Sequence, residues 1–330
     1  MGAMTAAMPP VRVSREERLL RLFGRAGVLL YLVVLVGAFA VAAPGFFSEP
    51  TLLAMINIAT PLMVVSAAMT VCLVGAEVDL SVGGIVGLSS TITALTLLWG
   101  WPWPFAVVTA VVAGGIVGML NGLLTARLVN IVPLFPSFLP TLGVFWLTIG
   151  VAEAFLPSQQ AISINNDSFA GLFSGYLPAI YAIGTVVFVH LVLTRTSFGY
   201  RVFAVGSNRR AAALAGIDVT RTKFLTLVAS GLLTGLGGVL MAGYFQGGYS
   251  QIARGIELDA IGAAVIGGTA LFGGRGSALA SLSGVLVLSV LDTGLLLMQV
   301  PPAIQLAAKG VIVIVAVAAN TYVRRRLSSR

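Results

Sequence analysis

Apolar residues are grouped along the chain into ten long runs, which short polar or glycine-rich stretches separate. A helix that spans a bilayer needs about 20 consecutive apolar residues, and most of these runs approach that length. The runs are 27–44, 51–74, 82–98, 103–125, 138–157, 175–194, 222–246, 258–272, 277–298 and 302–320. The pattern therefore predicts an all-α polytopic membrane protein with about ten transmembrane helices.

The third and eighth runs are short and rich in glycine, which predicts broken or partial helices at these two places. Each run follows a similar polar stretch, EVDL from Glu77 and ELDA from Glu257. When the ten spans are threaded in order, the two stretches fall on opposite faces of the membrane. MLNGLL at 119–124 and VLDTGLL at 290–296 form a second pair of this kind. The pairs indicate an inverted internal repeat, in which spans two and three correspond to spans seven and eight.

The carboxylates in these stretches require an explanation, because Glu77 and Asp79 are the only charged side chains between positions 49 and 127. Asp79 and Asp259 stand at predicted helix starts, where backbone N–H groups lack partners and the helix dipole is positive. We expect both to act as helix caps, with Ser81 as a second acceptor. The alternative is that Glu77 and Asp79 bind an ion or a proton, since carboxylates inside membranes are often functional.

The composition supports a membrane location and excludes several other classes. The chain is 58% hydrophobic and only 9% charged, whereas a soluble domain is about 25% charged. Its mean hydropathy is +1.02. The formal net charge of +8 could suggest nucleic acid, but the basic residues border apolar runs, so membrane orientation explains them better and no nucleic acid partner is expected. One cysteine (Cys72) and one histidine (His190) allow neither an internal disulfide nor a Cys/His metal site, and no cofactor is expected.

The distribution of basic residues predicts the orientation. If the N-terminus is cytoplasmic, 17 of the 19 Lys and Arg residues lie in or beside cytoplasmic segments, as the positive-inside rule requires. The basic start and first apolar run could also form a signal peptide, but the long basic region favours a retained first span. The predicted organisation is a cytoplasmic tail (1–26), a transmembrane domain (27–320) with a large cytoplasmic loop (195–221), and a second cytoplasmic tail (321–330).

The large loop contains SNRRAAALAGI, which predicts a short helix. Ser207 or Asn208 can cap its start, the alanines favour helix, and Gly216 can supply the left-handed stop. A helix of about two turns is not stable alone in water, so it must pack on its own protein or dock into a partner. The chain has no GxxxxGK[ST] phosphate loop, and GGRG at 273–276 is better explained as a tight turn than as a nucleotide site.

The stretches EVDLSVGG, FGYR, AVGSNRRAAALAGI and ELDAIGAAVIGGTALFGGRG resemble, in this order, the membrane permease of bacterial ABC importers of the ribose type. The resemblance runs from about residue 30 to 320 and implies a multi-pass protein of the bacterial inner membrane. It implies as partners an ABC ATPase with tandem nucleotide-binding domains, an extracytoplasmic sugar-binding protein, a second permease subunit and membrane lipid. It also implies that the coupling helix, which meets the ATPase, lies within 206–216. Its expected contact residues are Gly206, Ser207, Asn208, Arg209, Arg210, Ala212 and Gly216.

One residue departs from the family pattern. The family's first motif is commonly GGIDLSVG, whereas this chain has GAEVDLSVG, so Glu77 replaces a small or apolar residue. The resemblance therefore assigns Glu77 no role, and it identifies no particular sugar. We expect a permease for a monosaccharide of the ribose, xylose or arabinose kind, or for a related small polar solute.

Two other classes of function compete with the permease. An ion-coupled secondary transporter or channel would use intramembrane charges, with Glu77, Asp79, Glu153, Asp292 and Lys309 as candidates. A membrane enzyme is the weakest hypothesis, because these scattered groups form no catalytic constellation. A neighbouring gene for a tandem ATPase would distinguish the permease from the ion-coupled transporter.

Polar residues within the apolar runs are the candidates for the translocation path. The alternative is that they hydrogen-bond between helices as packing contacts, which is common for Ser, Thr and Asn. The candidates are Asn57, Thr60, Ser66, Asn121, Thr141 and Gln246.

Overall fold

A computed structural model describes residues 15–128, 137–156 and 160–328. Parts of the predicted tails, most of the 126–137 loop and the end of the fifth predicted span lie outside these residues. The described chain forms thirteen helices and two short strands. They are α1 (Arg15–Ala42), α2 (Glu49–Val74), α3 (Val82–Leu98), α4 (Trp103–Leu128), α5 (Phe138–Ala154), β1 (Ile162–Ser163), α6 (Asp167–Gly171), α7 (Leu177–Arg195), α8 (Ser197–Ser207), α9 (Arg209–Leu214), α10 (Val219–Phe245), β2 (Gly247–Gly248), α11 (Ile256–Ile266), α12 (Ala278–Leu297) and α13 (Pro302–Ser328).

Each of the ten predicted apolar runs coincides with one of these helices, which confirms the all-α class. Among the described residues, five helices are long and apolar enough to cross a membrane, namely α2, α4, α7, α10 and α12. Apolar segments of 10–17 residues lie within α1, α3, α5 and α13. The eighth run contributes only the 11-residue α11, which ends before the left-handed Gly268. The number of ten spans therefore remains a prediction.

The core of the bundle surrounds α2, which is buried continuously from Ala59 to Val74. Helices α7, α10, α11 and α12 pack around it. The outward faces of the surrounding helices carry large apolar side chains, such as Val34, Trp146 and Phe188, each more than 60% exposed. Such a large exposed apolar surface is typical of a protein that contacts lipid.

Helix α10 packs most extensively against α4, and glycines make this close approach possible. A Cβ atom at Gly114 or Gly118 of α4 would collide with the backbone of α10. In reverse, a Cβ atom at Gly231 of α10 would collide with the backbone of α4, and one at Gly235 would lie only 3.0 Å from it. Spacings of four residues between small residues allow helix backbones to approach closely within membranes. The contact fixes α10, on which several groups of the candidate site are located.

Long-range contacts define the two ends of the bundle. At one end, the amide of Gly274 donates to the carbonyl of Val74 at 2.9 Å, and Gly206 of α8 packs against the same carbonyl. At the other end, β1 pairs antiparallel with β2, with Ile162 opposite Gly248. The first end, which carries α8 and α9, is called the α8–α9 end below.

Candidate functional site

The connection between α2 and α3, residues 77–81, is the polar centre of the α8–α9 end. The chain leaves α2 through Ala76, which has a positive φ of 56°. The next residues turn inward, so that Glu77, Asp79 and Ser81 are fully buried. Because buried polar groups are costly without partners, the contacts of the 77–81 segment determine its conformation.

Glu77 forms a buried salt bridge with Lys223 of α10. The Glu77 carboxylate is inaccessible and Lys223 is 4% exposed, so each charge is withdrawn from solvent and compensated by the other. This contact explains why an apolar stretch carries the glutamate that distinguishes it from the family motif. The pairing could not be predicted from local sequence, although Lys223 is one of only two lysines in the chain.

Asp79 accepts three hydrogen bonds. Its Oδ1 accepts from the amide and the hydroxyl of Ser81, at 3.0 and 2.6 Å, and its Oδ2 accepts from the hydroxyl of Ser230 at 2.8 Å. The Ser81 amide immediately precedes α3, so Asp79 orders the chain at the helix start. It does not cap a first-turn N–H group, and neither does the Ser81 side chain, which points instead to Asp79.

Two of the predicted path residues also bind this segment. Asn121 of α4 donates to the Ser81 hydroxyl at 2.7 Å. Thr141 of α5 accepts from the Leu80 amide at 3.1 Å, and Ser137 accepts from the Val78 amide at 3.0 Å. The 77–81 segment is therefore connected through polar side chains to α4, α5 and α10.

The structure does not bring the other four path candidates to this cluster. Asn57 donates to the carbonyl of Gly175 at 3.1 Å, and Thr60 donates to the carbonyl of Asn57 one turn away. The Ser66 hydroxyl is buried without a hydrogen-bond partner among the described residues. Gln246 ends α10 in a left-handed conformation. These contacts fit packing and helix termination, and the path assignment stays a prediction.

Asp259 does not have the predicted capping role. Helix α11 begins at Ile256, three residues earlier, so Asp259 lies inside the first turn, and the N-cap position is occupied by Gly255. The Asp259 carboxylate instead accepts from Lys309 at 3.0 Å, and Lys309 also pairs with Asp292 at 2.9 Å. The prediction was wrong because a residue in the first turn had been placed before the helix.

The clusters around Asp79 and Asp259 have similar connections. Asp79 reaches Asn121 of α4 through Ser81, and Asp259 reaches Asp292 of α12 through Lys309. Each cluster thus joins one of the two similar polar stretches to the similar motif that follows it in the chain. In the first cluster hydroxyls complete the network, whereas in the second an ammonium group does so.

Helices α8 and α9 form the surface feature of this end. Asn208 caps α9 by accepting from the Ala211 amide at 3.0 Å, and Gly216 follows with a φ of 81°, as the sequence predicts. Ser207, the alternative cap, ends α8 instead. Ala212, expected on the docking face, is only 5% exposed and faces its own protein.

The exposed surface of this pair of helices is formed by other residues. Leu214 is 90% exposed at the end of α9, and Tyr200 of α8 is 71% exposed. Arg210 is also exposed. Sequence reasoning missed Leu214 and Tyr200, because an apolar residue in a short amphipathic helix is expected to be buried.

The side chains that could bind a metal ion are dispersed. In the ranges that the structure covers, no group of three or more His, Cys, Asp or Glu residues is arranged to hold one. Glu153, a candidate for ion coupling, accepts from Ser250 at 3.2 Å and from Gln251 at 3.3 Å.

Comparison with known proteins identifies the family. Residues 51–317 match the family model described as "Branched-chain amino acid transport system / permease component". The chain is also 34% identical to "Probable ABC transporter permease protein YphD" of Escherichia coli, over 99% of both proteins. The chain belongs to this family of ABC transporter permeases. The resemblance found in the sequence is thereby confirmed.

Two further relatives are named as permeases for sugars. The chain is 35% identical to "Fructose import permease protein FrcC" of Rhizobium meliloti, over 90% of the chain and 85% of that protein. It is 32% identical to "L-arabinose ABC transporter permease protein AraH" of Azospirillum brasilense, over 97% of the chain and 94% of that protein. No solved structure matches this permease.

Proposed function

We propose that this permease is the transmembrane subunit of an ATP-driven importer, forms the translocation path and is driven by a separate ATPase. The observation that carries the proposal is the α8–α9 pair, which presents Leu214, Tyr200 and Arg210 at one end of an apolar bundle. Tyrosine and arginine are enriched at the centres of protein interfaces, and the exposed leucine adds apolar surface that a partner would bury. Their place matches the coupling loop that the resemblance implies.

The proposed substrate is a monosaccharide or a related small polar solute. The family description names branched-chain amino acids, whereas the relatives that align over most of the chain import fructose and arabinose by name. We give the relatives more weight, because they match over nearly the whole permease. An extracytoplasmic binding protein and a second permease subunit complete the proposed complex in the bacterial inner membrane.

The proposed topology has ten spans with an inverted repeat and places both termini in the cytoplasm. The matched Asp79 and Asp259 clusters support the repeat. The charge distribution supports the orientation, since the basic residues of α8–α9 and of the adjoining turns lie at one end of the bundle. They are Arg195, Arg201, Arg209, Arg210, Arg221, Lys223 and Arg275. The tails at 1–26 and 321–330 belong to the same side in this proposal.

Cysteine labelling tests the orientation. Ser168→Cys should react with an impermeant thiol reagent added outside the cell, and Ser207→Cys should react only after the membrane is opened. Both serines are exposed, whereas the native Cys72 is fully buried, so the parent protein provides the background. The opposite labelling pattern would exclude the proposed orientation.

The docking function is tested by Leu214→Asp. A charged residue in the centre of an apolar contact should reduce co-purification of the ATPase to background, while the exposed position leaves the permease folded. ATP-driven sugar uptake by the reconstituted complex should be lost in parallel. Ser168→Asp places the same charge at the opposite end and serves as control. If Leu214→Asp co-purifies with the ATPase as well as the parent permease does, the contact lies elsewhere. If the parent complex itself shows no ATP-driven uptake, the proposed function is contradicted.

The ion-coupled alternative is not favoured by any contact in the described residues. Each carboxylate on which it depends already has partners: Glu77 binds Lys223, Asp79 binds two serines, Asp292 binds Lys309, and Glu153 binds Ser250 and Gln251. Membership of an ABC permease family supports the ATP-driven mechanism instead.

A further inference from the structure

We propose that the Glu77–Lys223 ion pair is a positioning link that transmits movement of the α8–α9 pair to the 77–81 segment. The inference rests on the proposed function, since it assumes that an ATPase moves α8–α9. It assigns a role to the residue by which this permease departs from the family motif.

Stability alone does not explain the pair. Two charges have been removed from solvent, and their attraction compensates for desolvation only when the geometry is favourable. Apolar residues of similar volume are often as stable as a buried ion pair or more stable. Separating the two charges of a buried pair is, however, strongly unfavourable, so the pair is suited to keeping its two helices together when one of them moves.

The pair is located where movement of α9 must arrive. Helix α9 ends at Leu214, and α10 begins at Val219 after a short turn, so Lys223 lies in the first two turns of α10. Helices α8 and α9 both contact α10. Displacement of α9 would therefore move the start of α10 and with it Lys223.

The glutamate side of the link is also held by α8. Gly206 of α8 packs so closely on the Val74 carbonyl that a side chain at position 206 could not be accommodated. A Cβ atom at Gly75 would lie 3.4 Å from the Val202 side chain of α8. A movement of α8 would therefore displace the chain just before Glu77, while Glu77 itself is bound to Lys223 of α10.

The segment passes this movement on to the bundle. Asp79 is hydrogen-bonded to Ser230, Leu80 to Thr141 and Val78 to Ser137. A shift of Glu77 must therefore be accommodated at the start of α3 and at its contacts with α5 and α10. These helices would open or close the path.

The decisive variant replaces both charges with apolar side chains of similar length, Glu77→Met with Lys223→Met. Because no single charge is left buried, we expect the permease to insert and to bind the ATPase. ATP hydrolysis should continue, but uptake of radiolabelled fructose or arabinose, whichever the parent complex transports, should fall about tenfold per ATP hydrolysed, a typical size for coupling between sites. The reversed pair, Glu77→Lys with Lys223→Glu, is the matched control and should recover most of the parental ratio.

The outcomes separate this inference from the function on which it rests. If the parent complex shows no ATP-driven uptake, the proposed function fails. If the parent transports and the variant with the apolar pair has the same ratio of uptake to ATP hydrolysis, the ion pair only compensates charge and the link is refuted. If the apolar pair does not insert, the variant with the reversed charges is the deciding one. A reversed variant with the parental ratio of uptake to ATP hydrolysis supports the link. A reversed variant that assembles with the ATPase but hydrolyses ATP without uptake contradicts it. Failure of both to insert would also contradict it, because the pair would then serve folding.

Discussion

Replacing Lys309 with Met is expected to lower the free energy of unfolding by about 1–3 kcal/mol, because the partly buried ion pairs of Lys309 lie between the exposed and the fully buried case. The Lys309 ammonium lies 3.0 Å from Asp259 and 2.9 Å from Asp292, with its side chain 20% exposed. Without it, two carboxylates would face each other in apolar surroundings. Thermal denaturation in detergent should show the loss as a large decrease in Tm.

The same network predicts how the loss can be reversed. Adding Asp259→Asn and Asp292→Asn to Lys309→Met removes the uncompensated charges, so the triple variant should regain most of the parental Tm. Asp259→Ala alone should have little effect, because Lys309 and Asp292 then remain as a neutral pair. If Asp259 capped α11 instead, Asp259→Ala would itself be destabilising, by about 1 kcal/mol. A parental Tm for Lys309→Met would show that the two carboxylates do not depend on the lysine.

The helices were predictable because apolar runs and helix starts are local properties of the sequence. Each predicted run became one helix, and the cap at Asn208 and the left-handed Gly216 were correct. The number of spans was not confirmed, because glycines such as Gly268 end helices inside apolar sequence, where hydropathy alone sets no boundary.

The partners of the charged groups could not be predicted, since they depend on which helices become neighbours. Glu77 and Lys223 are 146 residues apart in sequence, and Lys309 is 50 residues from Asp259. A periodic pattern indicates that Ala212 and Leu214 lie on different sides of α9, but not which side the bundle covers. Ala212 was therefore expected on the docking face, whereas the structure buries Ala212 and exposes Leu214.

Asp79→Ala is expected to be strongly destabilising, whereas Asp79→Asn should keep both folding and transport. The alanine variant removes three hydrogen bonds and leaves the buried Ser81 amide without an acceptor, at a cost of roughly 1–3 kcal/mol for each donor left unsatisfied. The Ser230 hydroxyl can instead donate to a backbone carbonyl of its own helix. The unsatisfied donors of Ser81 therefore account for most of the lost stability. Asparagine retains an oxygen for Ser81, and its amide nitrogen can donate to the Ser230 oxygen.

This comparison also separates a structural carboxylate from a proton carrier. The partners of Asp79 in the described structure are one amide and two hydroxyls, so a neutral acceptor satisfies the same geometry without a buried charge. A proton carrier requires a group that titrates, and asparagine would then abolish transport as completely as alanine. The measurement is ATP-driven uptake by the reconstituted complex, normalised to the inserted permease, for both variants. Uptake lost in a folded, ATPase-bound Asp79→Asn permease would mean that the carboxylate changes its protonation state during transport.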